Sequence, residues 1–287
     1  MNEYLELAAR GKTAWWRFPV AIFLAIFLWL LVCTVVIVTL MAAHALPQDI
    51  SAELTQPSHV QVFYGATGGM FGLLLLSFIT AVRLLHGKRF GDIIGVWSWR
   101  RLFTGAGIWL AISIIAVLVD YLIQPSGFSK TASAATLTLA LWALPSLTVQ
   151  TFTEEFIFRG YVTQGLLLAT RRPLVTAVLS GLAFATLHIP NGWPQAASAA
   201  AFGVITALIA MRTVGIAFTF GLHLVNNLFG AVVVVSANDV FRGSPALITQ
   251  ATPHLIWLDA AVPFVAMVVA LWLSGALALR SLSPRPS

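Results

Sequence analysis

The sequence predicts an all-α fold: a polytopic membrane bundle of about eight transmembrane helices around a buried polar site. Three observations carry this reading. Of 287 residues, 59% are hydrophobic and only 9% are charged, against about 25% charged in soluble domains. Several apolar runs reach the roughly 20 residues that a helix needs to cross the hydrocarbon layer. Basic residues gather in the short segments between those runs. No stretch alternates as the strands of an outer-membrane barrel do.

Residues 1–17 form a basic arm. Tyr4, Leu5, Leu7 and Ala8, with Trp15 and Trp16, predict a short interfacial helix there. Span one covers about 18–42. Arg10, Lys12 and Arg17 before it and Ala43-His44-Ala45 after it imitate a signal peptide, but the apolar run exceeds a leader's 7–15 residues, so it reads as a retained span. The loop 43–58 holds Asp49 and Glu53 and no Lys or Arg. Span two covers about 59–84, and the spacings Gly65/Gly69 and Gly68/Gly72 suit close helix packing. The basic stretch 85–102, interleaved with Phe90, Ile93, Ile94, Trp97 and Trp99, predicts an amphipathic segment on the cytoplasmic face.

Span three covers about 103–123. Residues 131–169 are then too long for one span, and Pro145 offers a break. Either a span at 131–151 leaves the glutamates at its cytoplasmic end, or a span at about 146–169 follows a shallow or re-entrant 131–144. The remaining spans fall at about 174–189, 196–211, 214–236 and 256–279. Three regions result: an accessory part at 1–125, a helical core at 126–236, and a last span with its tail at 237–287.

The net charge is +6. On a soluble protein that would suggest nucleic acid; here topology accounts for it. With an inward N-terminus, only Lys130 and Arg242 of the sixteen Lys and Arg fall outside, Arg159 lies within the membrane, and the other thirteen lie on or near the inner side. This bias predicts cytoplasmic N- and C-termini. The predicted partners are the lipid bilayer and a membrane-associated substrate, with no nucleic acid. A single cysteine, Cys33, excludes an intrachain disulfide and a cysteine-rich metal site.

The candidate site starts from Thr153-Glu154-Glu155-Phe156-Ile157-Phe158-Arg159-Gly160. Charge inside an apolar span costs a few kcal/mol per residue on insertion scales. Glu155 and Arg159 are four apart, so they share a helix face and suit an ion pair with the acid N-terminal. Glu154 points about a hundred degrees away and is the freer carboxylate, placed to meet water or substrate. Downstream come His188, in Phe184-Ala185-Thr186-Leu187-His188, and His223 with Asn227 one helical turn later. Helix rise puts Glu154, His188 and His223 in one band near the membrane centre if the second division of 131–169 holds. That favours the second division.

The order Glu-Glu-x-x-x-Arg, Phe-x-x-x-His, His-x-x-x-Asn on successive apolar segments resembles the CPBP superfamily, the CAAX-processing and bacteriocin-processing (Abi) intramembrane endopeptidases. The likeness covers roughly residues 130–235. It implies a hydrolase of peptide bonds in a bacterial cell membrane, acting on a membrane-associated or lipidated protein or peptide. Glu154 would activate a water, His188 would help orient it, and His223 and Asn227 would stabilise the oxyanion. Glu155 and Arg159 would support them. No cofactor is certain; a zinc held by Glu154, His188 and His223 is the metal alternative. Two rival functions remain on the residues alone. One is a proton-coupled transporter, which lacks the inverted repeats such folds carry. The other is a catalytically silent membrane scaffold. The short loops predict substrate entry from the bilayer or the cytoplasmic face.

Overall fold

The computed structural model describes residues 2–45 and 50–251, with Val265 and Val268 beyond them. Apart from those two valines, the predicted span at about 256–279 lies outside the described residues, as do Asp49, Asp259, Arg280 and Arg285.

The chain is a multi-pass bundle of helices. In order these are α1 (Asn2–Ala8), α2 (Arg17–Ala42), α3 (Ile50–Thr55), α4 (Val60–His86), α5 (Phe90–Ile94) and α6 (Trp99–Ile123). Next come α7 (Ala134–Glu155), a π-helical segment at Phe156–Val162, and α8 (Thr163–Thr170). The last are α9 (Pro173–Thr186), α10 (Trp193–Thr213) and α11 (Ala217–Leu228), the last continued by a π-helical turn at Phe229–Val233. Among the described residues, five helical runs are long and apolar enough to cross a membrane: Arg17–Ala42, Val60–His86, Trp99–Ile123, Ala134–Thr170 and Trp193–Thr213. Pro173–Thr186 and Ala217–Val233 are apolar and shorter.

Residues 134–170 depart from both expected divisions. The helix does not break at Pro145 and runs on as one apolar element of 37 residues. A proline removes one backbone donor and crowds the preceding turn, but contacts on both sides of it hold the helix together. Ala143 and Leu147 are fully buried, and Ser146 Oγ donates to the Tyr64 carbonyl at 2.6 Å. Glycine makes that approach of α4 to α7 possible: a Cβ on Gly68 would lie 3.1 Å from Ser146 Cα. Gly65 and Gly72 also face α7, whereas Gly69 does not.

The stretch 85–102 buries one side and exposes the other. Its five-residue helix α5 leaves Phe90 and Gly91 exposed and turns one side chain, Ile93, in against the π-helical segment. Ile93 and Lys88 are buried, and Gly160 allows the approach, since a Cβ there would lie 2.9 Å from the Ile93 carbonyl oxygen. Gln164 donates to the carbonyl of Asp92 at 2.8 Å and accepts from Lys88 Nζ at 2.7 Å. Burial pushes the Lys88 ammonium down to about 8, against the opposing pull of Asp92.

The sequence did not foretell a small sheet. β1 (Phe128–Lys130), β2 (Val234–Ser236) and β3 (Ile248–Gln250) pair in the order β1-β3-β2. β1 runs antiparallel and β2 parallel to β3. Three-residue strands carry too few positions for alternation to show. The sheet ties the far ends of α6 and α11 together, with Lys130 in β1 and Arg242 between β2 and β3.

The N-terminal arm is docked rather than merely interfacial. Tyr4, Leu7 and Ala8 are buried, and Tyr4 Oη donates to the backbone carbonyl of Arg159 in the π-helical segment. Tyr4→Phe removes that donor and leaves a buried carbonyl without it. We expect a loss of about 1–3 kcal/mol, read as a lower melting temperature of the detergent-purified chain.

Candidate active site

The six motif residues arrive on three separate helices. Glu154 and Glu155 end α7, Arg159 lies in the π-helical segment, His188 follows α9, and His223 and Asn227 ride on α11. A π-helical segment at this point agrees with the tendency of π-bulges to sit at functional sites. Its fifth-residue geometry is supported by Thr163, whose hydroxyl donates to the Phe158 carbonyl at 2.7 Å.

Glu155 is fully buried and binds two groups through one oxygen. Arg159 Nη1 lies 3.4 Å from Glu155 Oε1, and His223 Nδ1 lies 2.8 Å from the same oxygen. The ion pair expected from the four-residue spacing is therefore present. Arg159 is also fully buried, donates from Nε to Thr206 Oγ1 at 2.9 Å, and stacks its guanidinium 4.2 Å from the centre of the Phe184 ring. Ring faces stabilise a desolvated cation.

This contact fixes the tautomer of His223. A carboxylate paired with a guanidinium only accepts, so Nδ1 must carry the proton. Nε2 then faces Glu154, whose Oε2 lies 3.6 Å away. Glu154 and His223 meet as the shared membrane depth predicts, and of the two glutamates it is Glu154 that lines the central cavity. Gln150, one turn earlier on α7, donates to Glu154 Oε1 at 3.2 Å.

His188 lines the same cavity. Its Nδ1 lies 3.1 Å from the Phe184 carbonyl, which can only accept, so Nε2 is left as an acceptor. Asn227 is oriented from both sides. Asn226 Nδ2 donates to its Oδ1 at 3.0 Å, and its own Nδ2 donates to Thr151 Oγ1 at 3.2 Å. The amide nitrogen carries a second hydrogen that can reach a ligand.

Among the described residues, no three His, Cys, Asp or Glu side chains come together in a group that could hold a metal ion. The set Glu154, His188 and His223 therefore does not present a zinc site in this arrangement, and no step is derived through a metal.

The cavity has a volume of about 600 Å³. Its lining comes from one end of the bundle: Phe63 to Phe71 of α4, Trp109 to Val117 of α6, Gln150 and Glu154 of α7, and Gln195 to Phe202 of α10. Val234, Asp239 and Gln250 close it beside the sheet. The basic residues of the same helices, Arg83, Arg100, Arg101 and Arg212, sit at the opposite ends.

Sequence reasoning missed Gln150, Thr151, Asn226 and Thr206. The first two lie four and three residues before Glu154 and were findable as same-face neighbours. Asn226 adjoins a motif residue. Thr206, on α10, gave no local signal.

Residues 136–229 match the model of a family described as Type II CAAX prenyl endopeptidase Rce1-like. The uncharacterized protein YyaK of Bacillus subtilis strain 168 is 28% identical over 208 residues, which is 67% of this chain and 69% of YyaK. No solved structure matches. The matched segment contains Glu154, Glu155, Arg159, His188, His223 and Asn227. Residues 136–229, which hold the three motifs in order, thus resemble the Type II CAAX prenyl endopeptidase Rce1-like family.

Proposed function

We propose that this protein is an intramembrane endopeptidase that cleaves a membrane-associated or lipidated protein or peptide by glutamate-activated water attack. The observation that carries the proposal is the approach of His223 Nε2 to Glu154 Oε2 at 3.6 Å, in a cavity that also holds His188 and Asn227. Glu154 takes a proton from water as the oxygen bonds to the scissile carbonyl carbon. His188 Nε2 accepts from that water and helps orient it. The oxyanion meets Asn227 Nδ2–H and His223 Nε2–H. Glu154 then gives its proton to the leaving nitrogen as the carbon–nitrogen bond breaks.

With Nδ1–H committed to Glu155, His223 donates to an oxyanion only as an imidazolium. Glu155 and Arg159 are positioning residues in this scheme. They touch no substrate and hold the imidazole at the correct angle and protonation.

A proton-relay transporter would use the same residue types. The committed Nδ1–H and the braced amide of Asn227 suit a fixed catalytic geometry better than a relay that must reorient. A silent scaffold would not need a freely lining carboxylate beside that imidazole.

Three outcomes test the proposal. Glu154→Ala abolishes cleavage while the chain still inserts, so membrane peptides from cells carrying it should differ by proteomics from those of wild type; identical profiles would favour the scaffold. Glu155→Gln breaks a buried pair, which costs about 3–5 kcal/mol. It should lower both kcat and the melting temperature, whereas Glu154→Gln should lower kcat with little change in melting. Finally, a chelator added to the purified enzyme should leave its turnover intact.

A further inference from the structure

We infer that the candidate active-site cavity faces the non-cytoplasmic side, so that its substrate is a peptide segment presented from the outer face of the membrane. The inference rests on the protease reading for the word substrate, and on two independent placements for the word outer.

The first placement is that of the positive charge. Arg10, Lys12 and Arg17 precede α2, Arg83, Lys88 and Arg89 sit at the α4–α5 junction, and Arg100 and Arg101 open α6. Arg171 and Arg172 join α8 to α9, and Arg212 lies in the last turn of α10. All of these helix ends are joined at one side of the bundle: Arg101 Nη1 donates to the Thr213 carbonyl, Gly95 bridges to Gly215, and Lys12 N donates to the His86 carbonyl at 2.8 Å. Short basic connections stay in the cytoplasm. The other side carries Lys130 and Arg242 with Glu53, Asp120 and Asp239 among the described residues.

The second placement is that of the cavity. α4, α9, α10 and α11 contribute from the ends away from those arginines, and α6 and the continuous run Ala134–Thr170 contribute from their middle. Asn191, in the turn that joins α9 to α10 on that side, is exposed and lines the cavity. Asp239 and Gln250 line it from the segment around the sheet. Below the cavity, the fully buried Arg159 and the ring of Phe184 fill the path towards the basic end. A soluble cytoplasmic peptide would have to pass that plug, whereas a segment on the outer face meets the polar side chains of Asn191, Gln195 and Gln250 first.

The experiment reads the side directly, with no need for substrate or turnover. Cys33 is replaced by Ser, and single cysteines are placed at Asn191→Cys, on the cavity rim, and at Ala14→Cys, exposed beside the basic end. The full chain is expressed in bacterial cells and treated with a membrane-impermeant maleimide, either on intact cells or on inverted vesicles. We expect Asn191→Cys to label in intact cells and Ala14→Cys only in inverted vesicles. Labelling of Asn191→Cys only in inverted vesicles, or in neither until detergent is added, overturns the inference. A failed cleavage assay beside outward labelling would instead count against the protease reading alone.

Discussion

One oxygen atom, Oε1 of Glu155, organises the polar interior of this protein. It meets a guanidinium at 3.4 Å and an imidazole at 2.8 Å. Taken alone, a buried carboxylate or a buried guanidinium is expensive. Together they cancel, and the histidine gains a fixed orientation. This explains why two acids stand side by side where an ion pair would need one. Glu155 is consumed by structure, which leaves Glu154 to line the cavity. Arg159, in turn, stays desolvated only because Phe184 and Phe202 stack over it and Thr206 accepts from Nε.

The backbone around that contact is built to the same end. The unbroken run from α7 into α8 carries both glutamates and the arginine through the centre of the bundle, with the π-helical segment between them. Gly160 admits α5 from one side, and Tyr4 of α1 caps the Arg159 carbonyl from another. The arm, the basic junction and the site are thus one connected network. The hydroxyl of Tyr4 thus reaches the backbone carbonyl of Arg159 itself.

The family match ends where much of the cavity wall begins. Residues 136–229 supply the six motif residues, but Phe63, Thr67, Trp109, Asp239 and Gln250 lie outside that segment and also line the cavity. The motif residues therefore lie within the matched segment, while parts of the cavity wall belong to the accessory helices and the small sheet. Selectivity among peptides is expected to follow those flanking parts.

The sequence alone determined the membrane character, the approximate limits of most described spans, and the identity of the polar residues that meet. It could do so because hydropathy over some twenty residues and charge in an apolar run are local signals. The ion pair between Glu155 and Arg159 was legible for the same reason, since four residues of helix bring them together. What only the tertiary structure decided was everything set by contact between distant segments. Pro145 stays within an unbroken element because α4 packs on both sides of it. Ile93 goes inward because Gly160, far along the chain, lacks a Cβ. His223 shows Nδ1 to one glutamate and Nε2 to the other because α11 lies beside α7, and no spacing along the chain encodes that angle.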